Sequence, residues 1–186
     1  KAVQNPPEYV IVSNLGQIEP LRRILPDAKL IADFRFNIGN RYSALFFEEL
    51  GFESYVASPE LSLPQLRDLD GAKSAIVYGR IPLMLLEKCV IKELYGETRG
   101  CGICSENSAK MTDRRGFVFP IRRTWEHRNI VFNSLPTYMA DRQGELDAAG
   151  IADRHFIFAT EAPDEVDKII YAYKNSLSSV GEVRRI

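Results

Sequence analysis

The sequence predicts an α/β domain built on a parallel sheet, interrupted by one irregular segment that carries every cysteine. Short β-branched runs alternate with amphipathic helical stretches, which is typical of parallel βα units. The composition, 45% hydrophobic and 26% charged over 186 residues, is that of one globular domain with a substantial core. The alternation stops between residues 87 and 133, and all three cysteines lie there.

Four strands alternate with three helices in the first part of the chain. The predicted strands are Tyr9–Ser13, Leu30–Phe34, Ser54–Ser58 and Ser74–Gly79, and the last of them is apolar enough to be buried on both faces. The predicted helices run through Leu21 to Leu25, from Arg41 to Leu50 with Gly51 at the C-cap position, and from Leu61 to Leu69.

The last part of the chain repeats the pattern once. A buried strand is predicted at His155–Ala159, and a helix follows from Ala162 to about Ser176 with a core-facing stripe that includes Val166 and Tyr173. The strands recur roughly every 20 to 25 residues. This spacing resembles consecutive units of a (β/α)8 barrel, although five or six units do not close one. We therefore expect a partial barrel-like domain over residues 1–86 and 134–186.

Residues 87–133 are predicted to form an inserted subdomain. The runs Gly116–Ile121 and Arg128–Phe132 are expected to pair as a β-hairpin. The stretch from Glu93 to Arg115 is too charged for a large core, so a cross-link is physically expected.

The candidate cross-link is a metal site made of Cys89, Cys101, Cys104 and His127, in the order C-x11-C-x2-C-x22-H. A tight Cys101–Cys104 knuckle would present two thiolates to zinc or to an iron–sulfur cluster. Three alternatives stay open: three unrelated cysteines of which one is buried, a redox-active disulfide within Cys101–Cys104, and a solvated His127 that is not a ligand.

Polar residues follow the predicted strands, where a barrel enzyme places its chemistry. We expect Glu60, Arg80 and Glu161 to be catalytic, with the acidic residues gathered around Arg80 for general acid/base work. Substrate binding is assigned to Asp33, Arg35 and Asn37, because the planar forks of arginines clamp carboxylates or phosphates. The alternative is that Asp33 and Glu60 only cap the helices that follow. No serine or cysteine protease triad is recognisable.

The charge balance excludes a global attraction to nucleic acid or to membranes, since the net charge is −1 and the pI is near 6.2. No apolar stretch reaches the roughly 18 residues of a membrane span, so we expect a cytoplasmic protein.

The arginines around Trp125 and Phe117 form either an RNA-binding face or a solvated hairpin surface. The chain opens without Met and ends on a charged run, which favours a domain of a longer protein.

Several dispersed motifs resemble the collagenase-like peptidase family U32. They lie in order along almost the whole chain, and the longest are Val77–Cys89, the Cys101/Cys104 pair, Thr112–Pro120 and His127–Ser134. Shorter strand-end matches occur at Val12–Gly16, Ala32–Asn37, Ala57–Leu61 and Phe158–Glu161. The resemblance implies the C-terminal part of that family's barrel.

The resemblance also implies an activity and a cofactor. Some relatives are collagen-degrading, which implies a metal-containing hydrolase acting on a peptide or protein substrate. Others are four-iron four-sulfur proteins needed to hydroxylate RNA or quinone precursors, and a non-catalytic metal-stabilised binding module is a further alternative. The fourth cysteine of those relatives corresponds to His127 here, which favours a structural Cys3His zinc site over a cluster. Pro82 and Ser74 also depart from the family pattern.

Overall fold

A computed structural model describes residues 5–106, 109–179 and 181–186 of the chain, with the backbone alone for residues 97 and 98. The strands are β1 Tyr9–Val12, β2 Lys29–Ala32, β3 Ser54–Val56, β4 Lys73–Gly79, β5 Pro82–Leu86, β6 Lys110–Thr112, β7 Val118–Arg123, β8 Asn129–Phe132, β9 Thr137–Tyr138 and β10 Ile151–Ile157. The helices are α1 Ile18–Ile24, α2 Arg41–Glu49, α3 Leu63–Arg67, α4 Val90–Tyr95, α5 Glu97–Ser105, α6 Gln143–Ala148 and α7 Pro163–Lys174.

The main sheet has the order β1-β2-β3-β4-β10, and each pair of neighbours is parallel. The short strand β9 pairs antiparallel with β4 beside this path. Every residue of β4 is buried, as its apolar sequence predicts. The α/β fold with a parallel-rich sheet is therefore confirmed, and its five parallel strands form an open path that ends at β1 and β10.

Two hydrophobic clusters cover the two faces of the main sheet. The larger one packs the helices against one face, and it includes the fully buried Val12, Leu66 and Leu146. On the other face, a smaller cluster centred on Val56 brings Ile31 of β2 into the same group as Ile157 of β10. Since β2 and β10 are separated by two strands, the sheet is strongly curved around this cluster.

The second sheet is antiparallel and has the order β5-β8-β7-β6. Its β7–β8 pair is the hairpin that the sequence predicts, and the sheet also includes Pro82–Leu86 and Lys110–Thr112. One face packs against α4 and α5 around Ile91, Cys104, Ala109, Ile121 and Val131. This core is small, in agreement with the charged composition of the segment.

Gly79 joins the two sheets at a point where no side chain fits. Its φ is +121°, and a Cβ there would lie 2.2 Å from the carbonyl oxygen of Ile157. The close approach lets β4 and β10 stay paired up to Ile157↔Gly79, after which the chain turns through Arg80 into the second sheet. Gly79 thus sets where the two sheets meet.

Some boundaries differ from the sequence prediction. The strand β10 begins at Ile151 rather than at His155, because the polar Asp153 and Arg154 that hide its start lie on a partly open sheet edge. Helix α3 begins at Leu63 rather than at the predicted Leu61, and Ser62 is its N-cap in a capping box. Within the described residues, none of the helices combines the length and the apolarity that crossing a bilayer requires.

Candidate functional site

Glu161 is held rigidly at the carboxyl end of the main sheet. Its Oε2 accepts hydrogen bonds from the backbone N–H groups of Ala159 (3.0 Å) and Thr160 (2.9 Å). Its Oε1 accepts from the hydroxyls of Thr160 and Tyr78, each at 3.1 Å. A carboxylate offers about four acceptor positions, so these four donors use its capacity. Glu161 is therefore suited to positioning its neighbours rather than to taking a proton.

Two arginines approach this carboxylate from different elements. Arg80 follows β4, and its Nη1 donates to the carbonyl oxygens of Asn133 (2.9 Å) and Ser134. Arg122 lies on β7 of the second sheet, and its Nη1 donates to the carbonyl oxygen of Ile121 at 3.1 Å. Burial lowers the pKa of the Arg122 guanidinium, Glu161 counteracts that shift, and Arg80 adds to it. The three charged groups consequently lie within electrostatic range of one another at the junction between the sheets.

Tyr78 completes this junction. Burial raises the pKa of its hydroxyl, and the carboxylate of Glu161 raises it further both by its charge and by the hydrogen bond. The phenol therefore stays a neutral donor to Glu161 at physiological pH. We call Tyr78, Arg80, Arg122 and Glu161 together the junction cluster.

The other predicted catalytic and binding residues have surroundings of their own. Asp33 is 3% exposed and forms an ion pair with Arg35. Asn37 accepts a hydrogen bond from the Ser58 hydroxyl at 2.5 Å. Glu60 is exposed on the loop after β3. Asp33 thus has Arg35 as its cation and Glu161 has four donors, and the gathering of Asp33, Glu60 and Glu161 around Arg80 stays a prediction.

His155 is a further polar residue, for which the sequence predicts only the start of a strand. It lies on β10 and lines a groove of about 530 Å³ on the inner face of the main sheet, together with Tyr9, Ile11 and Ser74. Burial lowers the pKa of its imidazole, an effect that Asp33 opposes and Arg35 reinforces. In the sequence it is the last of three consecutive polar residues, Asp153–His155, which gives no periodic signal for a site.

A tight helix pair brings the cysteines together. Cys89 is the N-cap of α4, where its sulfur accepts from the Lys92 N–H at 3.4 Å. Cys101 and Cys104 lie one turn apart on α5, which corrects the expectation of a tight knuckle. A Cβ on Gly100 would lie 2.9 Å from the Ile91 carbonyl oxygen, so glycine is what allows the two helices to approach so closely.

The three thiols and His127 line one cavity of about 290 Å³. Burial raises the pKa of the Cys104 thiol, and the nearby Cys89 sulfur, which shares a hydrogen bond with it, raises it further. Cys104 is buried, whereas Cys101 and His127 are exposed. In the described part of the chain, no three His, Cys, Asp or Glu side chains are grouped closely enough to hold one metal ion.

The loop that carries His127 has an uncommon backbone. Both Glu126 and His127 have positive φ, 56° and 61°, and the turn is closed by a hydrogen bond from the Thr124 N–H to the Arg128 carbonyl oxygen at 2.9 Å. Non-glycine residues in this region cost of order 1 to 3 kcal/mol each. Glu126 and His127 adopt this conformation in succession, and the resulting turn places His127 at the rim of the cysteine cavity.

Asn129 is a supporting residue that the sequence does not reveal. It is fully buried beside the cavity, and its Oδ1 accepts from the Val90 N–H at 3.0 Å. This bond ties β8 to the first turn of α4, directly next to Cys89. A buried amide with a backbone partner is recognisable only once the strand and the helix are placed together.

Part of the positive charge on the hairpin is paired. Trp125 is 86% exposed, and Arg128 forms ion pairs with Glu87 (2.9 Å) and Glu126 (3.7 Å). Arg122 lies within electrostatic range of Glu161. The positive charge available next to Trp125 is accordingly reduced.

A comparison with protein families gives one result that covers nearly the whole chain. The model of Peptidase family U32 matches residues 1–184. The chain belongs to this family. The U32 match confirms the resemblance carried by the Val77–Cys89 run and by the strand-end motifs. No curated protein and no solved structure matches the chain.

Proposed function

We propose that this U32 chain is a hydrolase domain for polypeptide substrates, with the substrate bound between the carboxyl end of the main sheet and the second sheet. The observation that carries the proposal is the junction cluster, which brings Arg80 and Arg122 into electrostatic range of the hydrogen-bonded Tyr78–Glu161 pair. Guanidinium groups at this edge suit the oxygen of a peptide carbonyl as it becomes negative.

The residues of the cluster take different roles. Tyr78 holds Glu161, whose charge attracts Arg122, while Arg80 is anchored by the carbonyl oxygens of Asn133 and Ser134. Glu60 stands on the neighbouring strand end, and its carboxylate makes no hydrogen bond or ion pair to any described residue. Its oxygens remain available to take a proton from a water molecule, so we assign it the role of general base.

Hydrolysis of casein and gelatin tests this assignment. We expect Glu60→Gln and Arg80→Lys each to lower kcat by 10²-fold or more, which is the scale of a lost acid–base or oxyanion contact. Glu161→Gln is expected to act more weakly because it removes a positioning charge. Glu49→Gln, an exposed carboxylate on α2, is the matched control. Unchanged activity in all three variants would remove the proposed site.

We further propose that Cys89, Cys101, Cys104 and His127 hold a structural zinc ion. Support comes from the shared cavity, the hydrogen-bonded Cys89 and Cys104 thiols, and the uncommon backbone that keeps His127 at the rim. The donor set is chemically that of a Cys3His zinc site. Four protein ligands leave no open position for water, so the ion would stabilise the second sheet without taking part in the reaction.

Elemental analysis of anaerobically purified protein tests the metal proposal. We expect one zinc per chain, with loss of zinc in Cys89→Ser and Cys104→Ser and weaker binding in His127→Ala. His155→Gln is the control, because it changes the other histidine of the chain. A brown protein with stoichiometric iron and sulfide would instead support the iron–sulfur alternative, and metal-free wild-type protein would contradict both.

A further inference from the structure

The 183–186 segment lies next to β9 at the carboxyl end of the main sheet. The Arg184 N–H donates to the carbonyl oxygen of Pro136 at 2.9 Å, and the Arg184 carbonyl oxygen accepts from the Tyr138 N–H at 3.0 Å. These two bonds make a parallel β-bridge to β9. Because β9 pairs with β4 at Tyr78, the backbone of Arg184 is one strand away from the junction cluster.

Both ends of this segment are fixed to the body of the domain. The guanidinium of Arg185 donates to the two carboxylate oxygens of Asp141, at 2.5 and 3.0 Å, and to the carbonyl oxygen of Tyr138 at 2.6 Å. Bidentate pairs of this kind are stronger than single neutral hydrogen bonds. Val183 and Ile186 pack against the larger hydrophobic cluster. The segment is therefore a firm base for the side chain that projects from its middle.

The side chain of Arg184 contacts the loop that carries Glu60. Its Nη2 donates to the carbonyl oxygen of Pro59 at 2.7 Å. The same loop is also closed by its own bonds, because the Ser58 hydroxyl accepts from the Glu60 N–H at 3.3 Å and the Ser58 carbonyl oxygen accepts from the Leu61 N–H at 3.2 Å. The backbone next to Glu60 is thus held from outside by a single side chain.

Arg184 consequently connects the two parts of the proposed site. Its backbone is bonded to the strand beside Tyr78, and its guanidinium is bonded to the peptide unit that precedes Glu60. A general base works only within hydrogen-bond reach of the proton that it removes, and a displacement of about 1 Å can lower a rate by about 100-fold. The position of an exposed carboxylate on a loop depends on such an external contact.

We infer that Arg184 is a positioning residue for the general base: it holds the loop of Glu60 at a fixed distance from the junction cluster. Arg184 acts through Glu60, from which it is more than 120 residues distant in sequence, since its contact with Pro59 spans 125 residues. This inference rests on the proposed hydrolase function, in which Glu60 takes the proton, and it adds the residue on which the placement of that carboxylate depends.

Kinetics of casein hydrolysis test whether Arg184 acts through Glu60. We expect Arg184→Gln to lower kcat by about 10- to 100-fold with little change in KM, and Arg184→Lys, which keeps a charged donor, to recover part of the loss. Arg184→Gln should have no further effect in a Glu60→Gln background, because the group that it positions is already absent. An equal loss of kcat in both backgrounds would overturn the inference.

Arg22→Gln is the matched control for these kinetics. Arg22 also donates to a backbone carbonyl oxygen, that of Leu50, but it does so in the helix layer on α1. The variant removes an arginine–carbonyl contact of the same kind and should leave kcat unchanged.

Amide hydrogen exchange tests the anchoring independently of activity. We expect Arg184→Gln to accelerate exchange of the Glu60 and Leu61 N–H groups at least about 10-fold and to leave β4 protected, whereas Arg22→Gln should not affect the two loop amides. If Arg184→Gln does not fold, Arg184→Lys is measured in its place, with a smaller acceleration expected. Unchanged protection of both loop amides in the folded variant would overturn the inference.

The two measurements separate this inference from the function on which it rests. Wild-type protein that hydrolyses neither casein nor gelatin would refute the proposed hydrolase, and the exchange of the loop amides would still decide whether Arg184 anchors the loop. Hydrolysis that requires Glu60 but not Arg184 would refute the positioning role and leave the hydrolase intact.

Discussion

The two sheets of this chain are stabilised in different ways. The main sheet is covered by a cluster of 22 buried hydrophobic residues that includes side chains from its helices. The second sheet has five buried residues in its core, and one of them is Cys104. The main sheet can depend on burial of apolar surface alone, whereas the second sheet contains too little of it. The cysteines lie on the two helices that pack against the second sheet.

The largest expected effect comes from changing the point where the sheets meet. In Gly79→Ala, a Cβ would meet the Ile157 backbone, and the residue would keep a positive φ. Overpacking and an unfavourable φ each cost about 1 to 3 kcal/mol, so we expect urea unfolding to show a loss of about 3 kcal/mol or more. In Gly144→Ala, where a Cβ meets nothing within 4 Å, the α6 helix should be stabilised slightly. Equal stability of the two variants would contradict the close approach.

Removal of the proposed zinc should destabilise the region of the second sheet and leave the stability of the main sheet unchanged. A ligand at about 100 times its Kd stabilises the form that binds it by about 2.7 kcal/mol. We therefore expect a chelator to accelerate amide hydrogen exchange in α4, α5 and β8 by a corresponding factor of about 100, and to leave β4 protected. Uniform acceleration across both sheets would show that they unfold as one unit.

A smaller effect is expected within the helix pair of the second sheet. Gly100→Ala would place a Cβ 2.9 Å from the Ile91 carbonyl oxygen, and we expect local opening of α4 and α5 at a cost of about 1 to 2 kcal/mol. Gly102→Ala lies on the same helix with nothing within 4 Å, so it is the matched control and should not open the pair. Amide hydrogen exchange of α4 and α5 and the rate of thiol labelling of Cys104 are measured in both variants. Faster Cys104 labelling in Gly102→Ala would argue against the packing explanation.

The smallest expected effect is a pH dependence of folding stability that arises from His155 in the main sheet. Burial lowers the pKa of His155 from its ordinary 6.5, so the unfolded chain binds more protons than the folded chain between the two values. The stability contributed by neutral His155 is complete above about pH 6.5 and is lost as the pH falls toward the lowered value. Urea unfolding at pH 7.5 and pH 5.5 should show a decline that His155→Gln reduces. An identical reduction in His127→Gln would assign the effect elsewhere.

The main sheet was largely predictable because its strands have a local signal. The run Ser74–Gly79 is apolar at nearly every position, and only a strand buried on both faces matches that pattern at such a length. Helix α2 was equally clear, since Gly51 ends it with a φ of +77°. The second sheet was predictable only at the β7–β8 hairpin, because β6 is a strand of three residues and β5 pairs with β8, which is distant in sequence.

The candidate sites were likewise predictable in part from the sequence and in part only from the tertiary structure. The sequence by itself determined the sulfur and imidazole donors and the polar residues that follow the strands, because residue type and strand-end position are local properties. Only the tertiary structure decided that Arg122 of the second sheet comes within electrostatic range of Glu161 and that Asn129 supports the turn beside Cys89. The first depends on how the two sheets meet at Gly79 and the second on how β8 packs against α4, and packing between distant segments leaves no periodic signal along the chain.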